Sequence, residues 1–247
     1  MSETWRNWAR NQECRPAAIE HPESEDELVR IVREAAAAGQ RVKVVGAGHS
    51  FTAIALTDGR LVQLDRYQRL LAADAATALV TVQAGIPLSK LNDVLHARGL
   101  AMPNLGDIAY QSIAGAISTA THGTGVKLTG LAGAVVGMRL IAGDGSIIEC
   151  SAEQEPEVFH AARVGLGALG IVSTVTLQCV PAFNLRAVEC PTRVDELLAN
   201  LEEHVYGNDH FEFFWVPHTG WALTKWNNRT GEEERPRGRW QAFRDDM

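Results

Sequence analysis

The sequence predicts an α+β protein in two parts, and three observations carry that expectation. A capped amphipathic helix near the N-terminus runs directly into a strand and a glycine turn. An Asp-Gly pair sits between two β-rich runs in the middle of the chain, and the texture becomes aromatic after Pro181. These features give a first domain over 1–181 and the N-terminal portion of a second, incomplete one over 182–247. A chain of 247 residues has room for one large domain or two ordinary ones.

Ser24-Glu25-Asp26-Glu27 is a capping box, in which the serine caps the Glu27 amide and the Glu27 carboxylate reaches back. Leu28, Val29, Ile31, Val32, Ala35 and Ala36 follow at helical spacing, and Gly39 closes the helix. The run 41–45 (RVKVV) alternates as a strand does, and 61–64 and 79–83 read as further strands. A helix over 88–98 begins after Pro87 and stops at Gly99. Residues 138–150 form a hairpin around Asp144-Gly145, which supplies positive φ at the turn. The stretch 170–180 is β-rich and ends at Pro181. Beyond it, 195–205 reads as one amphipathic helix, 210–217 and 221–226 as strands, and the tail from Thr230 as charged and turn-rich.

With 46% hydrophobic and 21% charged residues the chain has material for a core. A formal charge of −7 argues against nucleic acid or an anionic membrane as the main partner, because both select basic surfaces. No run reaches the roughly 18 apolar residues of a membrane span, and no signal peptide opens the chain. A cytoplasmic location follows as the expectation, with peripheral membrane contact compatible. Cys14, Cys150, Cys179 and Cys190 are far apart and the histidines lack metal-ligand spacing, so no metal site is expected.

Three glycine-rich loops carry the chemistry. The first, Val45-Gly46-Ala47-Gly48-His49-Ser50-Phe51, leaves a strand with Gly-x-Gly-x-x-Phe. A dinucleotide loop of the Rossmann kind needs a third glycine where Phe51 stands, and a clean helix afterwards. Thr57-Asp58-Gly59 interrupts instead, so a nicotinamide cofactor is not expected. The second loop spans 104–125, with Ser, Ala, Gly, Thr or Ile at nearly every place between Ser112 and Thr121. Its amides at a loop-to-helix junction would attract an anion, and its hydroxyls could add neutral donors. The third spans 163–173. Each loop alone reads better as tight helix–sheet packing; three together point to a long ligand bearing a diphosphate.

In this order the segments 44–59, 104–125, 167–178 and 208–218 resemble the FAD-binding domain of the vanillyl-alcohol oxidase/PCMH flavoprotein superfamily, in its aldonolactone oxidoreductase branch of L-gulono-1,4-lactone and D-arabinono-1,4-lactone oxidases or dehydrogenases. The resemblance implies a PCMH-type FAD-binding domain of two α/β subdomains, followed by the start of an α+β substrate or cap domain. It implies FAD attached covalently through the imidazole of His49, a residue that otherwise reads as a loop histidine bonded to backbone. It places the cofactor against Val45 to Phe51, Gly106, Asp107, Ser112, Gly115, Ser118, Thr119, His122, Gly123 and Thr124, with Ile171 and Val172 beside the ring system or the adenine. A glycine at 106 implies an open path for oxygen.

The reaction so implied is oxidation of a sugar-derived aldono-1,4-lactone by hydride transfer to flavin N5, with oxygen or another acceptor reoxidising the flavin, as in ascorbate-like biosynthesis. The family's His-Trp-x-Lys tetrapeptide does not occur here, so no catalytic acid or base is assigned and the remaining polar residues are expected beyond Met247. A C-terminally truncated FAD-binding module without turnover, or an alditol oxidase, are the alternatives.

Overall fold

The computed structural model describes residues 3–232; the charged tail lies almost wholly outside them. The chain forms two compact units, Met1–Gly123 with Leu128–Pro181, and Thr124–Lys127 with Ala182–Met247.

The first unit opens with a small antiparallel hairpin, β1 (Trp5–Arg6) and β2 (Glu13–Cys14). Next comes a parallel sheet built from β3 (Ala18–Glu20), α1 (Glu25–Ala37), β4 (Val42–Val45) and β5 (Arg60–Gln63), ordered β3-β5-β4. Ser24 Oγ accepts the Glu27 amide at 3.2 Å. The Glu27 carboxylate takes the Glu23 amide at 2.7 Å, one residue before the cap itself. Gly39 ends the helix at φ +63, a conformation that costs glycine nothing. Leu28, Ile31 and Val32 are buried on the inner face of α1, each contributing about 1.5–3 kcal/mol of transfer free energy.

A five-stranded antiparallel sheet follows, ordered β10-β9-β11-β7-β6. Its members are β6 (Leu70–Asp74), β7 (Leu79–Gln83), β9 (Val135–Ile141), β10 (Ile147–Ser151) and β11 (Ile171–Gln178). Between them run α2 (Leu88–His96), the short strand β8 (Leu100–Ala101), α3 (Ile113–Ser118) and α4 (Pro156–Ala162). The β9–β10 hairpin turns at Gly145, with φ +78, where Asp144 Oδ1 accepts the Ser146 amide at 2.8 Å. Strand β11 is buried from Ile171 to Val175, as befits a strand between two neighbours with both faces covered. One apolar cluster joins α1, β5, α2, α3, β7, β9 and β11. The unit closes with β12 (Val180–Pro181), paired to β8.

The second unit is a three-stranded antiparallel sheet of β13 (Asn184–Arg193), β14 (His210–Val216) and β15 (Trp221–Thr230), with β15 central. The helix expected over 195–205 is two helices, α5 (Val194–Ala199) and α6 (Leu201–Gly207). The break is at Asn200, whose φ and ψ of −115° and 19° leave the helical region. Its side-chain amide donates to Glu196 O at 2.9 Å, the local backbone bond by which asparagine competes with a continuing helix. His204, Phe211 and Trp226 form an aromatic cluster against this sheet.

Candidate functional site

A cavity of about 430 Å³ in the first unit draws together parts of all three glycine-rich segments. The loop of residues 46–50 leaves the carboxyl end of β4, where ligands of open parallel sheets bind. Ser112, Gly115, Ser118 and Thr119 contribute from α3 and its caps, and Ile171 and Val172 from the start of β11. Two contacts explain the glycines of the first loop. A Cβ at Gly46 would overlap the Ser112 hydroxyl, so the first two loops meet only if residue 46 has no side chain. Gly48 has φ +69, and a Cβ there would come 3.2 Å from the Trp5 ring.

Hydrogen bonding gives this loop a direction. Among the described residues, every bond from residues 46–51 to protein runs through a carbonyl oxygen. Gly48 O accepts from Trp8 N at 2.9 Å and Ser50 O from Asn7 Nδ2 at 3.0 Å. Phe51 O accepts from Asn11 Nδ2 at 3.1 Å and Gln12 Nε2 at 3.3 Å. Among the described residues no peptide bond is cis. A trans peptide holds each C=O antiparallel to the next N–H, so the amide of His49 points away from the hairpin that binds the Gly48 carbonyl. Amides oriented alike in successive residues form a concavity suited to an anion.

The helix α3 behaves differently from the expectation. Its first amides are consumed by protein: Ile113 N by Ile86 O at 2.9 Å, Ala114 N by Ala84 O at 3.0 Å and Gly115 N by Ser112 Oγ at 3.3 Å. These three amides are therefore already bonded, two of them to the chain after β7 and one to the Ser112 hydroxyl. The Thr119 hydroxyl donates back to Gly115 O at 3.0 Å, and Thr121 Oγ1 accepts from Gln111 Nε2 at 3.2 Å. The Ser112 hydroxyl accepts a bond and keeps its own proton to give.

His49 lies with its ring stacked on Trp8, centroids 5.1 Å apart and planes at 30°. Neither of its ring nitrogens bonds a protein group among the described residues, so the reading as a histidine tied to backbone has no bond to support it. Phe51 is 61% exposed and meets Trp8 edge-on, outside the cavity lining. Gly106, Asp107, His122 and Gly123 are also outside that lining. There, Gly123 is pressed against Leu105 O, and His122 Nδ1 lies 2.9 Å from Gly123 O. Thr124 belongs to the second unit, where its carbonyl is 3.1 Å from His210 Nδ1.

The cavity also takes in residues that motif reading passed over: Trp5, Gln40, Lys43, Ala142 and Gly143. The one available signal was Lys43, a charge on the strand that enters the glycine loop. Among the described residues no carboxylate lines the cavity, and Lys43 is the sole lysine or arginine that does. An anion placed in this cavity would meet no opposing charge from its lining. The elongated set of small residues, the outward carbonyls and this charge balance all fit FAD. Among the described residues no group of three or more His, Cys, Asp or Glu side chains could hold a metal ion, and no helix is long and apolar enough to cross a membrane.

A parallel α/β layer whose strand-end loop presents amides, joined by one core to an antiparallel sheet, defines a nucleotide-cofactor-binding domain. The comparisons name the cofactor. Residues 16–151 match the family described as FAD binding domain, and the chain belongs to that family, with FAD as its cofactor. Residues 175–246 match the family described as D-arabinono-1,4-lactone oxidase.

Among curated relatives, L-gulono-1,4-lactone dehydrogenase of Mycobacterium tuberculosis is 45% identical over 98% of this chain and 56% of its own length. L-gulonolactone oxidase of Bos taurus is 42% identical over 87% of this chain and 49% of its own. D-arabinono-1,4-lactone oxidase of Eremothecium gossypii is 36% identical over 96% and 45%. The chain thus spans about half the length of these relatives. A cholesterol oxidase from Brevibacterium sterolicum shares the fold, with a TM-score of 0.82 at 18% identity, over 94% of this chain and 48% of that one.

Proposed function

We propose that this chain is the FAD-bearing part of an aldonolactone oxidoreductase, oxidising a sugar-derived 1,4-lactone of the L-gulono or D-arabinono type. The observation that carries the reading is the match of residues 175–246 to the lactone oxidase family. That match lies beyond the FAD-binding match, and a FAD-binding domain by itself is shared by enzymes of many substrates. On this reading 1–181 holds the cofactor and 182–247 begins the substrate domain. Bound FAD supplies a two-electron acceptor for the hydride of a carbinol carbon.

Residues 46–50 would hold the diphosphate by their amides, with Ser112 and Ser118 adding hydroxyls and Ile171 and Val172 giving an apolar wall. His49 would form a bond from one imidazole nitrogen to the 8α-methyl carbon of the flavin. Two protons leave in that step, one from the nitrogen and one from the methyl carbon. The two electrons left behind pass through the ring to oxygen or another acceptor. Its unbonded ring nitrogens support this role.

Two measurements on the FAD-loaded protein test the proposal. Flavin should remain in the acid-precipitated pellet and be lost from it in His49→Ala. Anaerobic addition of L-gulono-1,4-lactone or D-arabinono-1,4-lactone should bleach the flavin absorbance, whereas an alditol such as xylitol should not. Bound flavin that no lactone bleaches would leave a FAD-binding module without turnover, and bleaching by xylitol alone would make the chain part of an alditol oxidase.

A further inference from the structure

The N-terminal hairpin has no part in the glycine motifs, yet it makes most of the contacts that fix the first of them. We infer that residues 5–12 are a positioning clamp for the flavin loop, with Asn7 setting its backbone and Trp8 setting the imidazole of His49. The inference rests on the covalent reading above only in its Trp8 half.

Asn7 is 4% exposed and fully engaged: its Nδ2 donates to Ser50 O and to Asn11 Oδ1 at 2.7 Å, while its Oδ1 accepts the Gln12 amide at 3.0 Å. One side chain thus folds the hairpin turn and grips the loop at once. Trp8 uses its backbone amide on Gly48 O and its indole on the His49 ring. Trp5, 8% exposed, lies under Gly48 and closes the loop from below.

The division of labour follows from the chemistry of each contact. Asn7 and the Trp8 amide occupy carbonyls, so they decide which way the loop's amides point, and hence how well the loop receives an anion. The Trp8 indole stacks on the imidazole and meets the Phe51 ring edge-on, and it holds none of these carbonyls. A ring held at one face by an aromatic plane loses rotamer freedom before it meets its target, which raises the fraction of encounters in the reacting geometry. Trp8 is 64% exposed, with its indole against the histidine rather than in the core.

The test separates affinity from attachment. Apoprotein is mixed with FAD; binding is followed by flavin fluorescence and attachment by the flavin retained in acid precipitates over time. Trp8→Ala should bind FAD within about threefold of wild type but attach it at least tenfold more slowly, and Trp8→Phe should recover most of the rate. Asn7→Asp keeps the size and the acceptor for Gln12 but sets an oxygen against Ser50 O, and should weaken FAD binding at least tenfold. Circular dichroism and melting establish that each variant folds. If Asn7→Asp does not fold, the paired Asn11→Ala, Gln12→Ala variant, which removes both side-chain bonds to Phe51 O and the Asn11 acceptor of Asn7, replaces it in the affinity measurement.

Wild-type attachment in Trp8→Ala overturns the Trp8 role, and wild-type affinity in the folded loop variant overturns the backbone role. If wild type itself retains no flavin in acid, the covalent reading fails and the Trp8 role falls with it. The Asn7 role is then decided by affinity alone.

Discussion

Gly46 and Ser112 touch across the base of the cavity so closely that a methyl group on Gly46 would overlap the serine hydroxyl. Ser112 is also the cap of α3, accepting the Gly115 amide. Gly46→Ala should therefore cost about 1–3 kcal/mol by overpacking and weaken FAD binding with it. Adding Ser112→Gly removes the obstructing hydroxyl while costing the cap only a few tenths of a kcal/mol. The double variant should then be more stable than Gly46→Ala alone, a coupling that chemical denaturation of all four proteins measures.

Among the described residues, Lys43 is the only lysine or arginine lining the cavity, and no carboxylate lines it. Lys43→Gln should weaken FAD binding by roughly 1–2 kcal/mol at low salt, as expected for one partly solvated charge near a diphosphate. The difference from wild type should shrink as ionic strength rises. Riboflavin, which has no phosphate, should bind both proteins equally in the same fluorescence titration.

Ser173 is completely buried on β11, beside Val172 of the cavity wall, and its hydroxyl donates to the Glu25 carboxylate at 2.6 Å. Glu25 also pairs with Arg139 at 2.9 Å, so the bond ties the first turn of α1 to two strands of the second sheet. Ser173→Ala should lower stability by about 1.5–3 kcal/mol, the range for a hydrogen bond to a charged group. Thermal melting reads this directly, and the loss should be at least partly offset by saturating FAD.

Burial pushes the Cys179 thiol up to about 11 from its ordinary value of 9.0. In the unfolded chain the thiol ionises first, so the unfolded state loses its proton while the folded state keeps it. The stability this group contributes is fully present below pH 9 and is lost as pH rises towards 11, by about 2–3 kcal/mol. Tyr67, pushed up to about 12 chiefly by burial, extends the decline. Melting temperatures from pH 8 to 11 should fall less steeply in Cys179→Ser than in wild type, and native Cys179 should resist iodoacetamide at pH 8.

The elements legible in the sequence were those with local signals. The cap at Ser24, the stops at Gly39 and Gly99 and the turn at Gly145 all appear where the residue types place them. The loop 44–51 was legible for the same reason, since two glycines after a strand demand a turn. What escaped depended on distant partners. Nothing near Ser112 tells that the carbonyls of Ala84 and Ile86 will take the amides of α3. Gly143 reads as part of a hairpin turn until the fold brings it beside the glycine loop. Strand β13 was missed because it is exposed along nearly its whole length and so lacks the alternation that marks a half-buried strand.

The order in which the cavity wall is assembled has a consequence for loading. The clamp, the loop and α3 lie within the first 119 residues, but Ile171 and Val172 arrive only with β11, which enters between β7 and β9. Until that strand is inserted, both neighbours present unpaired edges and one wall of the cofactor chamber does not exist. During synthesis, then, the nascent chain cannot complete this cavity before about residue 172 has left the ribosome. The wall that this strand completes is therefore the last part of the cavity to be made, although the loop it faces is among the first.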